Sequence, residues 1–589
     1  MMLSANEYIS LPSIMEDASL KSMNFLSMAA RGMIEIYGDE NLLSWNNRVD
    51  GIELEYAETL SSYWIPSFSF ARENVTGSIE YLAPLGHRTV AATLKAENNS
   101  EKTHSLDINM RFAVSSLFHT VNESKEIKPE CRLSFSKWSL MPLYEFFTPL
   151  PFFSISLYSS CPDDWRISGT EVHFEHHESL SPGEKFEATV FIGFGFEEVA
   201  AVTSARECER WGATELRRQL VSYLDDRIVH CADGRLERVL NRNMFFCLFF
   251  STGRTLDSEE LVSVTSRSPE YYVSAAYWDR DSLLWAFPAI CRADREKARE
   301  LMLYVATRQR NNIGIHSRYI DGSILEPGFE LDELVSPVLA LDMYLRVTGD
   351  YDLLSNDDVR CLIDLILSRL QSWYNKDCGL YETFLQPTDD MTGNCRVLTY
   401  DNVLVWKAFV ILSDLDYGRK RNEFAYMAEN LREAIQKHCI ISIDGCDEYV
   451  WAIDGKGDYE VYDEPPGSLL LLPVLGFCSR NDSVYMNTVA RITDESYKYS
   501  FAGCPFSAIG CAHEPHPWTL SMANAVRASK DDHMVRKLCT AKMDDGIVCE
   551  SIDEYTGECT SGKAFATAAG YVVYSLLCYL DEKKSEQDI

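Results

Sequence analysis

KFEATVFIGFGF (185–196) followed by EEVAAVTSARECERW (197–211) is where the chain changes its period. The first piece alternates apolar and polar positions and is rich in Val, Ile, Phe and Thr, the pattern of a half-buried strand. In the second, apolar residues recur every three to four positions, and a connecting helix is expected over 203–225. Upstream lie TVAATLKAEN (89–98), SLDINMRFAVSS (105–116), PFFSISLYSS (151–160) and TEVHFEHHE (170–178), separated by Asn, Ser, Pro and Gly. Such runs predict antiparallel strands stacked as a β-sandwich over 1–200. Downstream, twelve helical segments are expected near 234–251, 280–292, 294–309, 331–348, 356–373, 400–415, 420–437, 467–478, 482–497, 517–528, 532–541 and 564–580. Paired, they would close an (α/α)6 barrel over 230–582, with 201–229 as linker and 583–589 as a disordered tail. A bundle or solenoid gives the same count, but no repeat of fixed period supports a solenoid. The predicted fold class is therefore α+β multidomain.

The 589 residues are 46% hydrophobic and 24% charged, enough for a large core, and the formal net charge is −34. That surface repels nucleic acid and anionic lipid and favours neutral or cationic ligands. No nucleic-acid or membrane partner is expected. The first twenty residues lack the basic and apolar regions of a signal peptide. The eighteen Cys are scattered without a CxxC pair, so reduced thiols in a cytoplasmic protein are expected.

The chemistry sits in the loops between helices. WDRDS (278–282) carries Trp278, Asp279, Arg280 and Asp281 between apolar flanks. Asp279 or Asp281 can cap the helix that follows. Alternatively, Arg280 and Asp281 grip vicinal hydroxyls of a sugar stacked on Trp278. In LEPGFELDELVSPVLALDMYLRVTGD (325–350), Glu330, Asp332 and Glu333 crowd beside Phe329 and Leu331. Acids suit a first helical turn, yet mutual repulsion and apolar surroundings also raise a carboxyl pKa toward that of a general acid. GIVCESIDEYTGE (546–558) offers Glu550 as a candidate general base. YETFLQPTDD (381–390), WAIDGKGDYEVYDEPPGS (451–468) and GCAHEPHPW (510–518) add aromatic and acidic loops, with His513 and His516 too poorly spaced for a metal. No cofactor or metal is expected. Two carboxylates far apart in sequence suit glycoside hydrolysis of a neutral oligosaccharide.

These segments resemble the (α/α)6 glycosidases and, within them, glycoside hydrolase family 125, the metal-independent exo-α-mannosidases. The resemblance rests on Trp278, Arg280, Asp281 and Ser282; on Glu330-Leu331-Asp332 before a helix ending Thr348-Gly349-Asp350; and on Pro387-Thr388-Asp389-Asp390. It continues through Asp454-Gly455-Lys456-Gly457-Asp458-Tyr459, His513 and Trp518, and a final Glu550-Ser551. It implies Asp332 as general acid and Glu550 as general base of an inverting exo-acting α-glycosidase preferring terminal α-mannosides. Trp278, Asp279, Arg280, Asp281, Glu330, Asp390, Asp454, His513 and Trp518 would bind the sugar. The family's Arg-Pro-Trp segment before the last helix is replaced here by CTSGKAFATAAGY (559–571), and Asp279 stands where the family has an apolar residue. A glucoamylase-like α-glucosidase and a catalytically inactive carbohydrate-binding protein are the alternatives. A phosphorylase would need a phosphate site, and no Gly-rich or basic cluster lies near the acids.

Overall fold

The computed structural model describes residues 2–147, 152–161, 164–388 and 393–587. The first part is an antiparallel β-rich region. One sheet runs in the order Met2–Ala5, Ile9–Ile14, Ser22–Ser27, Gly32–Tyr37, Ser116–Val121, Glu123–Ile127. A second, of eight strands, has Lys185–Gly195 near its centre, between Phe153–Ser159 and Thr89–Asn98. A further sheet is built around His104–Ala113 and Glu171–Leu180. Alternation explains these strands: His104–Ala113 buries Leu106, Ile108, Met110 and Phe112 and turns the intervening side chains outward. The first two sheets share a core in which Phe25 meets Phe153 and Phe194 edge-on, at 5.1 and 6.2 Å between ring centroids.

The expected connecting helix is longer and divided. It forms α1 (Glu198–Trp211) and α2 (Ala213–Asp225), because Gly212 at φ 76° breaks the run. α1 lies directly on the central strand of the large sheet. A Cβ at Gly193 would meet the Ala201 carbonyl oxygen at 2.5 Å, so glycine sets this close approach.

Eleven helices follow among the described residues: α3 (Gly234–Phe250), α4 (Phe287–Ala293), α5 (Arg295–Tyr304), α6 (Leu331–Thr348), α7 (Asp357–Ser372), α8 (Thr399–Asp414), α9 (Arg421–His438), α10 (Ser483–Ile492), α11 (Thr519–Ser529), α12 (Asp532–Thr540) and α13 (Ala566–Gln587). A π-helical segment, Arg280–Ala286, leads into α4. The segment 467–478 differs from expectation. It makes a single 3-10 turn, Leu469–Leu471, because Pro473 and Gly476 (φ 82°) stop propagation. α13 continues through 587 rather than ending near 580, since DEKKSEQ has no Gly or Pro and is mostly Glu, Lys and Gln.

The two parts are bolted together by Arg267, which is fully buried. Its guanidinium donates to the carbonyls of Asn6 (2.7 Å) and Tyr8 (2.8 Å) in the β-rich region and of Phe249 (3.0 Å) in α3. Burial pulls its pKa down to about 9, with the charge of Glu7 opposing the fall only in part. Trp64 stacks on Phe249 at the same junction.

Candidate active site

First turns of several elements meet at one end of the helical region. Asp332 stands in the first turn of α6, Asp401 in that of α8, Thr519 opens α11, Thr567 lies in the first turn of α13, and Arg280 begins the π segment. The WDRD stretch is held there by a buried ionic network. Arg280 donates from Nε to Asp332 Oδ2 at 2.5 Å and from Nη2 to Asp332 Oδ1 at 3.3 Å, and its Nη2 also pairs with Glu330. Glu333 accepts the backbone N–H groups of Asp279 and Arg280, the latter at 3.1 Å. The cap of this helix start thus comes from α6, not from Asp279 or Asp281. Asp279 is fully buried, accepts from Tyr277 Oη at 2.7 Å and is ion-paired to Arg318. That pairing accounts for the extra charge in WDRD: it anchors the strand Ile315–Arg318 to the start of the π segment.

Beside this network is a cavity of about 110 Å³. Trp278, Arg280, Asp281 and Trp285 line it, with Glu550, Trp518 and His513. His513 and Tyr272 are the exposed members, so they mark the mouth. Asp281 accepts from Thr567 at 3.1 Å, and burial, joined by repulsion from Asp332 and Glu550, raises its pKa to about 7 despite Arg280. Glu550 is 2% exposed. Its Oε1 accepts from Tyr272 Oη at 2.8 Å and its Oε2 from Ser561. Burial raises its pKa, while these two donors and His513 oppose the rise. Gly562 packs against it: a Cβ there would meet Glu550 Oε2 at 2.9 Å, and the glycine φ is 60°.

Of the residues singled out in the sequence, the cavity therefore gathers Trp278, Arg280, Asp281, His513, Trp518 and Glu550. Asp279, Glu330 and Asp332 lie behind it, each without exposure and each occupied by a guanidinium. Asp454 is elsewhere: its Oδ1 accepts the backbone N–H groups of Lys456, Gly457 and Asp458 and shapes its own loop. Asp390 lies outside the described residues. Sequence reasoning missed several members. His316 lines the cavity, contacts Glu330 and sets its ring edge-to-face with Trp278; burial first, then Arg280, lowers its pKa to about 4. Tyr272 precedes WDRDS without a pattern that marks it, and Ser561 lies in the segment that departs from the family pattern. Asp401 carries no sequence signal at all. Both its carboxylate oxygens are buried without a hydrogen-bond partner among the described residues, and burial with the charge of Asp332 raises its pKa well above the usual range.

The chain is similar to several known proteins. The family described as metal-independent alpha-mannosidase (GH125) matches residues 365–573, a stretch that includes Glu550, His513 and Trp518 but not WDRDS or Asp332. The Schizosaccharomyces pombe meiotically up-regulated gene 157 protein is 31% identical over 135 residues, and that stretch spans 21% of this chain and 26% of the relative. Among solved structures, a bacterial glucoamylase complexed with acarbose aligns over 98% of this chain and 94% of its own, with a TM-score of 0.64 at 13% identity. A Streptococcus pneumoniae metal-independent α-mannosidase, in a non-productive complex with α-1,6-mannobiose, aligns over 63% of this chain and 99% of its own (TM-score 0.53, 18% identity). A putative kojibiose phosphorylase from human microbiome aligns over 97% of this chain and 86% of its own (TM-score 0.59, 11% identity). The chain resembles (α/α)6 glycosidases in fold and metal-independent α-mannosidases in sequence. The family match supports a glycoside hydrolase.

Proposed function

We propose that the protein is an inverting, exo-acting α-glycosidase of a paired-helix (α/α)6 architecture, acting on terminal α-mannosides of neutral oligosaccharides. The observation that carries this reading is Glu550, a buried carboxylate with an oriented donor on each oxygen, sharing one cavity with Trp278, Arg280 and Asp281. Glu550 takes a proton from water as the water oxygen attacks the anomeric carbon. The glycosidic C–O bond breaks, and its oxygen leaves with a proton from the general acid. Asp332 is that acid in this reading. Since Arg280 occupies both its oxygens, the guanidinium turns to the sugar hydroxyls as substrate binds and releases the carboxyl. Asp281 is the second candidate, favoured by its place on the cavity wall and a pKa near 7. The scattered spacing of the eighteen cysteines, without a CxxC pair, is the reason for placing this work in a reducing compartment, the cytoplasm.

Aryl α-mannosides and α-glucosides with good and poor leaving groups test all of this. Loss of the general acid costs about 10²- to 10⁴-fold on a poor leaving group and little on 2,4-dinitrophenolate, which needs no proton. Asp332→Asn is expected to show that rescue and Asp281→Asn is not; the reverse assigns the acid to Asp281. Near-normal turnover by Glu550→Gln would sink the reading. Release of glucose without mannose identifies an α-glucosidase, and saccharide binding without turnover an inactive binding protein. The anomer first seen by NMR reports inversion.

A further inference from the structure

A second cavity, of about 320 Å³, lies among the helices, with the exposed Arg346 on its wall. The π segment with α4, α6, α8, the 469–475 turn, α11 and α13 all contribute to its wall. Its origin is the segment that fails to form a helix. The π segment, α4, α6, α8, α11 and α13 are helical along their length, while the stretch after Ser468 makes one 3-10 turn and then bends at Pro473 and Gly476. Leu471, Val474 and Leu475 border the space left unfilled.

The wall is apolar apart from a few groups, among them Asp342, Arg346, Lys407 and Arg527. Asp342 accepts from Arg346 Nε at 2.8 Å, so these two neutralise each other. Lys407 and Arg527 remain. Among the described residues neither side chain has a hydrogen bond or an ion pair, and Arg527 lies 4.7 Å over the ring of Tyr574. Arg527 is in the last turn of α11, where a cation complements the helix dipole. That role leaves its guanidinium without any acceptor, and Lys407, in the middle of α8, has no such role. Two cations without a carboxylate partner on a largely apolar wall, in a chain of net charge −34, suit an anion with an apolar body. The volume falls in the range of small-molecule sites, about 300–1,000 Å³.

We propose that this cavity binds an amphipathic monoanion, a carboxylate on an unbranched apolar tail, with its head on Lys407 and Arg527 and its tail among Leu339, Met343 and Leu471. Trp285 and Pro466 line both this cavity and the candidate active site, so an occupant presses on the wall they share.

Titration calorimetry on the full chain tests the site, with octanoate as probe and octanamide as its neutral counterpart. Octanoate is expected to bind at one site, at least tenfold more tightly than octanamide. Lys407→Met and Arg527→Leu should each weaken octanoate at least tenfold and leave octanamide within twofold. Lys407 is partly exposed, so Lys407→Met carries the test should Arg527→Leu not fold. Equal binding of the two probes, no octanoate binding at millimolar concentration, or unchanged octanoate affinity in Lys407→Met would overturn the proposal. None of these outcomes depends on glycosidase activity.

Discussion

Tyr272 and Glu550, separated by 278 positions in the chain, meet at 2.8 Å: the phenol donates to Oε1 of a carboxylate whose other oxygen is held by Ser561. This bond stabilises the charged form of a group that burial would otherwise neutralise. A hydrogen bond to a charged group is worth about 1.5–3 kcal/mol. A general base must be deprotonated, so raising its pKa moves the acidic limb of the rate profile to higher pH. Tyr272→Phe is therefore expected to lose roughly tenfold or more in kcat/KM on the acid side, with a smaller change at alkaline pH. An unshifted acid limb would show that the phenol does not tune Glu550.

Gly562 provides a second handle on the same carboxylate. Alanine at φ 60° costs about 1–2 kcal/mol of backbone strain, and its Cβ collides with the Glu550 side chain. Gly562→Ala should fold, with a modest drop in melting temperature, yet lose most turnover. Wild-type rates in this variant would mean that Glu550 has room to move without consequence.

The Asp279–Arg318 pair has a stability signature. Both side chains are fully buried, and removing one partner of such a pair typically costs about 3–5 kcal/mol because the other charge is stranded. Glu333, 3.8 Å from Arg318, supplies partial compensation, so Asp279→Asn belongs at the lower end of that range. The double variant Asp279→Leu/Arg318→Met should recover part of the loss. Denaturant unfolding of the three proteins measures the coupling, and strict additivity would contradict it.

Asp281 makes stability depend on pH. Its pKa is about 7 in the folded protein against 3.8 ordinarily. Between those values the folded state holds a proton that the unfolded chain has released, so stability falls as pH rises from about 4 to about 7. At about 1.4 kcal/mol per unit the contribution is a few kcal/mol. Asp281→Asn should unfold at higher denaturant concentration than the wild type at pH 8, and the difference should shrink toward pH 4.

The strands at 89–98 and 185–195 were legible to within a residue because alternation is a local property, visible along one stretch. So were most of the helices. The 467–478 segment was not: its apolar spacing fits a helix, and only the combination of Pro473 with a left-handed Gly476 stops it. At the site, Arg280, Asp281 and Glu550 announced themselves as charged groups in apolar runs, and Trp278 as the aromatic face beside them. Asp279 looked like part of the same grip, because nothing in its neighbourhood reveals that Arg318 reaches it from a strand 39 positions away. Tyr272, Ser561 and His316 are ordinary residues in sequence, and their roles come only from what the fold sets beside them.

The guanidinium of Arg267 fixes an order of events during synthesis. It closes on the carbonyl of Asn6, 261 positions earlier in the chain. While the ribosome is still making the β-rich region, the partner that locks its first strands does not yet exist. The bonds it gives to Asn6 and Tyr8 therefore form only after α3 and the loop behind it have emerged, later than the hydrogen bonding among the strands themselves.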